Sequence, residues 1–301
     1  MQGIVPRRAA LPLLLISWTA CAGPVPDRPA TVHVAVAASF AVPFAEIAAA
    51  FEHETGTAVE ASRGSTGQLY AQIVHGAPHD VFLAADAERP ARLEAQGRAV
   101  PGSRFPYARG RLALWRPSGG DPREALAAGD FRHLAMANPK TAPYGEAARQ
   151  VLARLGLLAA IEGRIVLGED VGQAYQFVAT GNAELGFVAR SQLAPTSRPA
   201  SAAPPGSADP ADIAARPGGE APAGAVWNVP ESLHDPIEQH AVLVRDTPAA
   251  RALLRFLRGP AAARVLERYG YAPADAPPPV ESAPAPPAGR RPVAPRAQVD
   301  G

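Results

Sequence analysis

The sequence contains a single cysteine, Cys21, which excludes an internal disulfide and any cysteine-based metal or redox centre in the fold. It also lacks an excess of charge of either sign, because 29 Lys and Arg side chains are balanced by 28 Asp and Glu side chains. Proteins that bind polyanions carry clustered positive charge, so we expect no nucleic acid partner. Apolar residues make up 47% of the 301 residues, enough for the core of one large domain or two ordinary ones.

The apolar run near the N-terminus, Ala9 to Ile16, is too short to span a bilayer. Arginines precede it and small residues follow it, which is typical of an export signal, and we assign this signal to residues 1–22. Two interpretations of its end stay open. Ala20 to Ala22 fits a small-x-small cleavage site, whereas Cys21 stands where a bacterial lipoprotein would be cleaved and acylated. Trp18 argues against acylation, because such signals usually carry Leu there. Both interpretations predict a protein that works outside the cytoplasm.

The segment Thr31 to Phe51 predicts a buried strand followed by a helix. Val32 to Ala38 is a short apolar run, after which apolar residues recur at helical spacing, at Phe40, Phe44, Ile47 and Phe51. Ser39 stands between the two, in the N-cap position, where its hydroxyl would accept from the first free amides. The same kind of turn is also where open α/β sheets bind anions. Capping serines are common, so Ser39 by itself favours the capping role.

Three more strand-to-helix junctions follow along the chain. The first contains Ser65 and Thr66, between glycines that allow close approach of a ligand. At the second, Tyr144 follows a proline and has a free amide at the helix start. At the third, Val171 follows Asp170, a predicted N-cap. All offer hydroxyls or helix-start amides, and such neutral donors can hold a dianion by hydrogen bonds alone.

Two other chemistries are less well supported by the residues. His75 and His79 have the spacing of metal ligands on a helix, but Pro78 lies between them and breaks that geometry. A hydrolase would use Ser39 or Ser65 as its nucleophile, yet neither lies in a G-x-S-x-G turn. No His and Asp pair can be assigned to either serine.

Taken together, these segments resemble the molybdate-binding periplasmic proteins that supply ABC transporters. The matching segments are VAAS at 36–39, GSTGQLYAQI at 64–73, GAPHDVFLAAD at 76–86, NPKTAPYG at 138–145, GEDVGQA at 168–174, ELGFVA at 184–189 and GPAAARVLERYGY at 259–271. They span Val32 to Tyr271, which is nearly the whole predicted mature fold. Each segment alone is a weak signal, but their combination in this order is specific.

The resemblance implies an α/β, two-lobed periplasmic binding protein fold of type II, with an anion cleft between lobes joined by crossover strands. We expect the first lobe at residues 32–110 plus 236–271, because the strand–helix series is interrupted at Arg111 and resumes near Ile237. The second lobe would comprise 111–235. Within it, residues 195–224 are rich in Pro, Ala, Ser and Gly and predict a disordered or surface insertion, and 272–301 predict a disordered tail.

The resemblance also implies a ligand set. It assigns contacts to the hydroxyl and amide of Ser39 and of Thr66, with Ser65 beside them, and to the backbone amides of Tyr144 and Val171. Molybdenum would be held as molybdate through these same residues. Many family members add a tyrosine hydroxyl after the strand that corresponds to Leu185–Ala189. Ala189 occupies that place here, so the fifth contact is missing or is supplied otherwise.

The implied function is the capture of molybdate, and of tungstate, for the membrane permease of an ABC transporter. No cofactor, enzymatic activity or nucleic acid partner is expected, and the protein is expected to be a monomer. A site made only of donors suits a fully deprotonated dianion, whereas a phosphate site can use an acceptor for the remaining proton. Sulfate and thiosulfate stay open as alternatives, because fold alone does not decide the ligand. A serine hydrolase is the less favoured alternative.

Overall fold

The computed structural model describes residues 30–195 and 222–273. The predicted export signal at 1–22 with Cys21, nearly all of the predicted insertion at 195–224 and nearly all of the predicted tail at 272–301 lie outside the described residues. Within the described ranges, no helix combines the length and apolarity that crossing a bilayer requires.

Two five-stranded sheets form the framework of the part of the chain that the structure describes. The strands are β1 (Thr31–Ala37), β2 (Ala58–Gly64), β3 (Val81–Ala84), β4 (Phe105–Gly110), β5 (Leu112–Arg116), β6 (Leu134–Ala137), β7 (Ile165–Gly168), β8 (Leu185–Ala189), β9 (Ala225–Asn228) and β10 (Ile237–Leu243). The first sheet has the order β2-β1-β3-β10-β4, and the second has the order β7-β6-β8-β5-β9.

Helices follow most of the strands. They are α1 (Ala41–Thr55), α2 (Thr66–Val74), α3 (Glu88–Ala95), α4 (Pro122–Ala128), α5 (Pro143–Arg154), α6 (Leu158–Ile161), α7 (Val171–Ala179), α8 (Pro248–Leu257) and α9 (Pro260–Arg268). Short 3-10 turns lie at Ala38–Phe40, Glu162–Arg164, Arg190–Leu193 and Glu231–Leu233. Gly259 and Pro260 separate the last two helices, because α8 ends before Gly259 and α9 begins with the proline.

The chain passes between the two sheets twice. Strand β4 ends at Gly110 in the first sheet, and β5 begins at Leu112 in the second. The chain returns to the first sheet between β9, which is in the second sheet, and β10, which is in the first. The predicted fold class, an α/β protein of two lobes joined by crossover strands, is confirmed.

Parallel pairing brings the predicted site turns to the sheet edges. Strand β1 pairs in parallel with β2 and β3, so the turns after β1 and β2 lie at one edge of the first sheet. In the second sheet β6 pairs in parallel with β7 and β8, which places the ends of β6 and β7 together. Carboxyl ends of parallel strands are where open α/β sheets bind ligands.

Each sheet has its own apolar core. In the first lobe the predicted face of α1 is buried: Phe40, Phe44, Ile47 and Phe51 pack against residues of the strands and of α8 and α9. In the second lobe, residues of α5 such as Val151 and Leu152 pack against Leu114 and Phe187 of the sheet. These cores hold the helices whose N-termini reach the cleft.

One predicted boundary was wrong in a way that affects the site. The apolar spacing of Ala148, Val151 and Leu152 predicts a helix at Glu146–Leu158, but helix α5 spans Pro143–Arg154 and starts three residues earlier. Proline is favoured at the first helical position, because its fixed φ suits the helix and its missing N–H is not needed there. Tyr144 is therefore the second helical residue and not part of the preceding loop.

Candidate anion-binding site

The predicted ligand residues Ser39, Ser65, Thr66, Tyr144 and Val171 all line one cavity between the two sheets. Each of them is at most 3% exposed. The space open to the centre of a water-sized sphere there is about 10 Å³. That is about the least space that holds one water molecule, so the cavity as it stands admits only a very small ligand.

Ser39 is not a helix cap. It lies inside the 3-10 turn Ala38–Phe40, and the cap positions before this turn and before α1 are occupied by Ala37 and Phe40. Its Oγ atom is buried and has no hydrogen-bond partner among the described residues. The Tyr144 and Tyr271 hydroxyls approach this oxygen, but without the geometry of a hydrogen bond.

An unpartnered buried hydroxyl is unfavourable, and such groups in native proteins call for an explanation. The capping interpretation predicted a bond from Ser39 Oγ to a helix amide, and that interpretation was wrong. A hydroxyl held in a cavity with nothing to bind is instead the arrangement expected of a ligand residue.

Ser65 and Thr66 present their hydroxyls at the start of α2. Ser65 forms a capping box, in which its Oγ accepts from the Gln68 amide at 3.3 Å and the Gln68 side chain accepts from the Ser65 amide at 3.2 Å. Thr66 Oγ1 accepts from the Ala85 amide at 3.1 Å. Both hydroxyls serve as acceptors in these bonds, so each keeps its own proton to donate into the cavity. The Ser65 amide, by contrast, is used within the cap.

The second lobe contributes backbone amides. Tyr144 is the second residue of α5 and Val171 the first residue of α7, so neither amide has an acceptor within its own helix. Neither amide donates to another of the described residues. Asp170 caps α7 as predicted, because its side chain accepts from the Gln173 amide. Both free amides therefore remain available to a ligand.

The electrostatic character of the cavity comes from helix ends. Helices α2, α5 and α7 all begin at it, and each helix start carries a partial positive charge. No Lys or Arg is among the described residues that line it. Asp170 is the charged lining residue, and its carboxylate already accepts the Gln173 amide as a cap. The site thus offers neutral donors to an anion.

The side chain of Tyr144 belongs to a buried hydrogen-bonded cluster that the sequence did not reveal. The Gln239 Nε2 atom donates to its hydroxyl at 3.3 Å, and the Tyr107 hydroxyl donates to Gln239 Oε1 at 2.8 Å. Burial raises the pKa of Tyr107 and of Tyr144 well above the usual value for tyrosine, so both phenols stay neutral. Gln239, a polar residue inside the apolar strand β10, was the one sequence signal for this cluster.

Ala189, the position for which the resemblance implies a tyrosine in many family members, is fully buried at the end of β8. Two residues later, Ser191 Oγ donates to the Ser39 carbonyl at 2.9 Å. Tyr271 donates to the same carbonyl at 2.7 Å. Sequence reasoning missed both residues.

Comparison with known proteins identifies the family. The pattern of the family "Bacterial extracellular solute-binding protein" matches residues 32–272. The chain belongs to this family.

Individual solute-binding proteins show closer similarity. The molybdate-binding protein ModA of Azotobacter vinelandii is 48% identical over 248 residues, which cover 80% of this chain and 90% of that protein. ModA of Rhodobacter capsulatus is 41% identical over 270 residues, covering 88% and 96%. The predicted resemblance to molybdate-binding periplasmic proteins is confirmed.

Solved structures of solute-binding proteins agree with the fold. The periplasmic molybdate-binding protein of Azotobacter vinelandii superposes with a TM-score of 0.69 at 37% identity, covering 80% of this chain and 98% of that one. The sulfate-binding protein SubI of Mycobacterium tuberculosis superposes with a TM-score of 0.59 at 14% identity, covering 82% and 88%. At that low identity the second likeness concerns the fold alone.

In this solute-binding protein the cleft is closed by bonds between the two sides. The Gly67 amide donates to the Thr141 carbonyl at 2.8 Å. At the rim, Gln68 Nε2 donates to Glu169 Oε2 at 3.3 Å, and Arg89 donates to the Lys140 carbonyl, also at 3.3 Å. The arrangement is that of a closed site, in which hydrogen bonds to an enclosed anion are shielded from water.

Proposed function

We propose that this protein captures molybdate, and tungstate by the same contacts, and delivers it to the membrane permease of an ABC importer. The observation that carries the proposal is the buried, unpartnered Ser39 hydroxyl, in a cavity where three helices begin. The names of the two most similar relatives described above support molybdate as the ligand.

We assign the ligand contacts as follows. Ser39 and Thr66 donate their hydroxyls and their amides, and Ser65 donates its hydroxyl beside them. The second lobe donates the amides of Tyr144 and Val171. These groups have no titratable donor or acceptor among them, so they select for an anion that carries no proton. Molybdate and tungstate are such dianions at neutral pH, whereas phosphate keeps a proton that needs an acceptor.

The protein acts by binding and release, not by conversion. Ser39 Oγ has no base beside it among the described residues, and Ser65 Oγ is engaged with the Gln68 amide. A serine hydrolase would need a base within hydrogen-bond reach of its nucleophile. We therefore assign no catalytic residue and no cofactor.

The cellular setting follows from the same proposal. Residues 1–22 direct export to the periplasm, where the protein is free or is anchored through Cys21. Residues 32–110 plus 236–271 form one lobe and 111–235 the other, and the lobes close around the anion. The functional unit is a monomer that docks on the permease, and nucleic acid has no part in it.

Titration calorimetry of the exported form with molybdate, tungstate, sulfate, thiosulfate and phosphate tests the proposal. Molybdate and tungstate are expected to bind at least about a hundredfold more tightly than phosphate, which keeps a proton, and more tightly than sulfate and thiosulfate. Equal or tighter binding of sulfate or thiosulfate would assign the site to that anion instead. Absence of binding heat with every anion, confirmed by an unchanged melting temperature, would overturn the proposal.

A further inference from the structure

The carbonyl of Ser39 is bound by two buried hydroxyls. Tyr271 donates to it at 2.7 Å and Ser191 donates to it at 2.9 Å, and the two hydroxyls lie 3.2 Å apart. A carbonyl oxygen has two lone pairs, so both of its acceptor sites are used. The plane of the peptide that follows Ser39 is therefore fixed from two directions.

The next residue, Phe40, is held by ring contacts. The Tyr271 ring meets it edge-on with centroids 5.6 Å apart, and the Tyr107 ring lies at 4.7 Å. Tyr271 is itself anchored by a two-bond bridge between the neighbouring Ala272 and Arg109 of strand β4. Burial raises the pKa of Tyr271 above the usual tyrosine value, so its hydroxyl keeps the proton that it donates.

The two donors come from different parts of the fold. Tyr271 follows α9, which packs on the first lobe, whereas Ser191 lies in the 3-10 turn directly after β8 of the second sheet. The bond from Ser191 to Ser39 thus joins the two sides of the cleft.

Ser39 depends on this support because its own hydroxyl has no partner among the described residues. Without a protein bond to Oγ, the direction of the hydroxyl and of the Ser39 amide is set by the backbone. We propose that Tyr271 and Ser191 are positioning residues that aim Ser39 at the anion. This inference rests on the proposed anion-binding function of the same site.

Because both hydroxyls hold the Ser39 carbonyl, we expect each of them to affect the rate at which the anion leaves.

The first test compares Tyr271→Phe with Tyr269→Phe by molybdate calorimetry, stopped-flow dissociation and melting of the ligand-free protein. Tyr269 is a matched control, because it lies two residues away and its hydroxyl donates to Glu46. The Tyr269→Phe variant therefore also loses a hydrogen bond. Both variants are expected to melt at lower temperature. Only Tyr271→Phe is expected to raise the Kd, by about tenfold, mainly through faster dissociation. Equal Kd values for the two variants would overturn the inference.

The second test uses the nearly isosteric pair Ser191→Thr and Ser191→Val. The threonine keeps the hydroxyl and is expected to bind within about threefold of the natural protein, whereas the valine is expected to lose about tenfold. Equal binding by the two variants would overturn the role of Ser191. If Tyr271→Phe does not fold, this pair still tests whether a hydroxyl bound to the Ser39 carbonyl affects molybdate binding.

A double variant separates positioning from general stability. If Tyr271 acts through Ser39, Tyr271→Phe should cost little affinity once Ser39→Ala is present, so the two losses do not add. Additive losses would contradict the inference. Failure of the natural protein to bind molybdate or any other oxyanion would instead overturn the proposed function, which distinguishes the two failures.

Discussion

The two halves of the site offer different kinds of hydrogen-bond donor. The first lobe offers side-chain hydroxyls at the turns after β1 and β2, from Ser39, Ser65 and Thr66. The second lobe offers backbone amides at the starts of α5 and α7, from Tyr144 and Val171. The first half therefore includes donors that depend on residue identity, whereas the second half depends only on the course of the backbone.

This difference determines how each half can be damaged. A substitution at a hydroxyl residue removes its donor directly. A substitution at Tyr144 or Val171 leaves the amide in place, so the second half is sensitive to residues that position the backbone. Gly145 is such a residue, because a Cβ there would lie 2.3 Å from the Ala137 carbonyl oxygen.

The largest effect is expected from Gly145→Ala. The added methyl group must push the start of α5 away from strand β6, and the Tyr144 amide moves with it. We expect the molybdate affinity to fall by more than about a hundredfold and the melting temperature to fall as well. Calorimetry measures the first effect, and thermal circular dichroism measures the second.

Gly163→Ala is the matched control for this prediction. A Cβ at Gly163 would meet no atom within 4 Å, and its φ is not in the left-handed region. This variant should bind molybdate like the natural protein. If the folded Gly145→Ala protein also binds normally, the Tyr144 amide is not a ligand contact.

Ser39→Ala should have the next largest effect, and it isolates the first half. Loss of one hydrogen bond to a charged acceptor costs about 1.5–3 kcal/mol, or roughly ten- to a hundredfold in molybdate affinity. The ligand-free protein should melt at the same or a higher temperature, because the hydroxyl removed is buried and unpartnered. A helix cap would have shown the opposite pattern, with about 1 kcal/mol of lost stability and unchanged affinity.

Ser103→Ala provides the contrast to Ser39→Ala. Ser103 Oγ donates to the Val100 carbonyl at 2.7 Å and accepts from the Leu243 amide at 3.1 Å, away from the cleft. This variant should lose stability and keep its molybdate affinity. Parallel losses of affinity in both variants would show that Ser39 acts through stability and not through the ligand.

Much of this architecture could be predicted because its signals are local. Strand β8 spans the predicted Leu185–Ala189, Asp170 caps α7, and the five predicted ligand residues share one cavity. Each of these features depends on residues that are close together in the sequence, such as an apolar run or a polar residue at a helix start. The order of such segments then identified the family.

The features that could not be predicted depend on distant residues. Gln239 meets Tyr144 across 95 positions, and Tyr271 meets Ser39 across 232. Sequence periodicity reflects neighbouring residues only, so it cannot predict such contacts. The non-capping role of Ser39 was missed for a related reason, because a 3-10 turn and an N-cap carry the same residue types at the end of a strand.

A smaller effect is expected from Val171→Ala, which tests the second half by a side-chain change. The Val171 side chain is buried in the second-lobe core, so its truncation should cost about 1–3 kcal/mol of stability. The amide stays at the start of α7, and the molybdate affinity should change by less than about threefold. An affinity loss as large as that of Ser39→Ala would mean that the side chain itself orders the site.

The smallest effect is expected from raising the pH, because both halves consist of groups that do not titrate near neutrality. The phenols beside the site, Tyr144 and Tyr271, have their pKa raised above about 10, chiefly by burial. The buried imidazoles of His79, His234 and His240 have their pKa lowered, also chiefly by burial, so they are already neutral at pH 7. Between about pH 7 and pH 9.5 the molybdate affinity should therefore stay within about twofold.

Above about pH 10 the stability should fall while the closed site keeps its protons. The unfolded chain loses its tyrosine protons near pH 10, whereas the folded protein retains those of Tyr144 and Tyr271, whose pKa is raised. The unfolded state then binds fewer protons than the folded state, so the free energy of unfolding decreases as the pH rises. Urea unfolding at pH 9 and pH 11 measures this loss, and Tyr271→Phe should make it smaller by removing one such phenol. A loss of molybdate affinity already between pH 7 and pH 9.5 would instead show that a phenol ionises beside the anion and repels it. That result would contradict the prediction that both halves of the site stay neutral in this range.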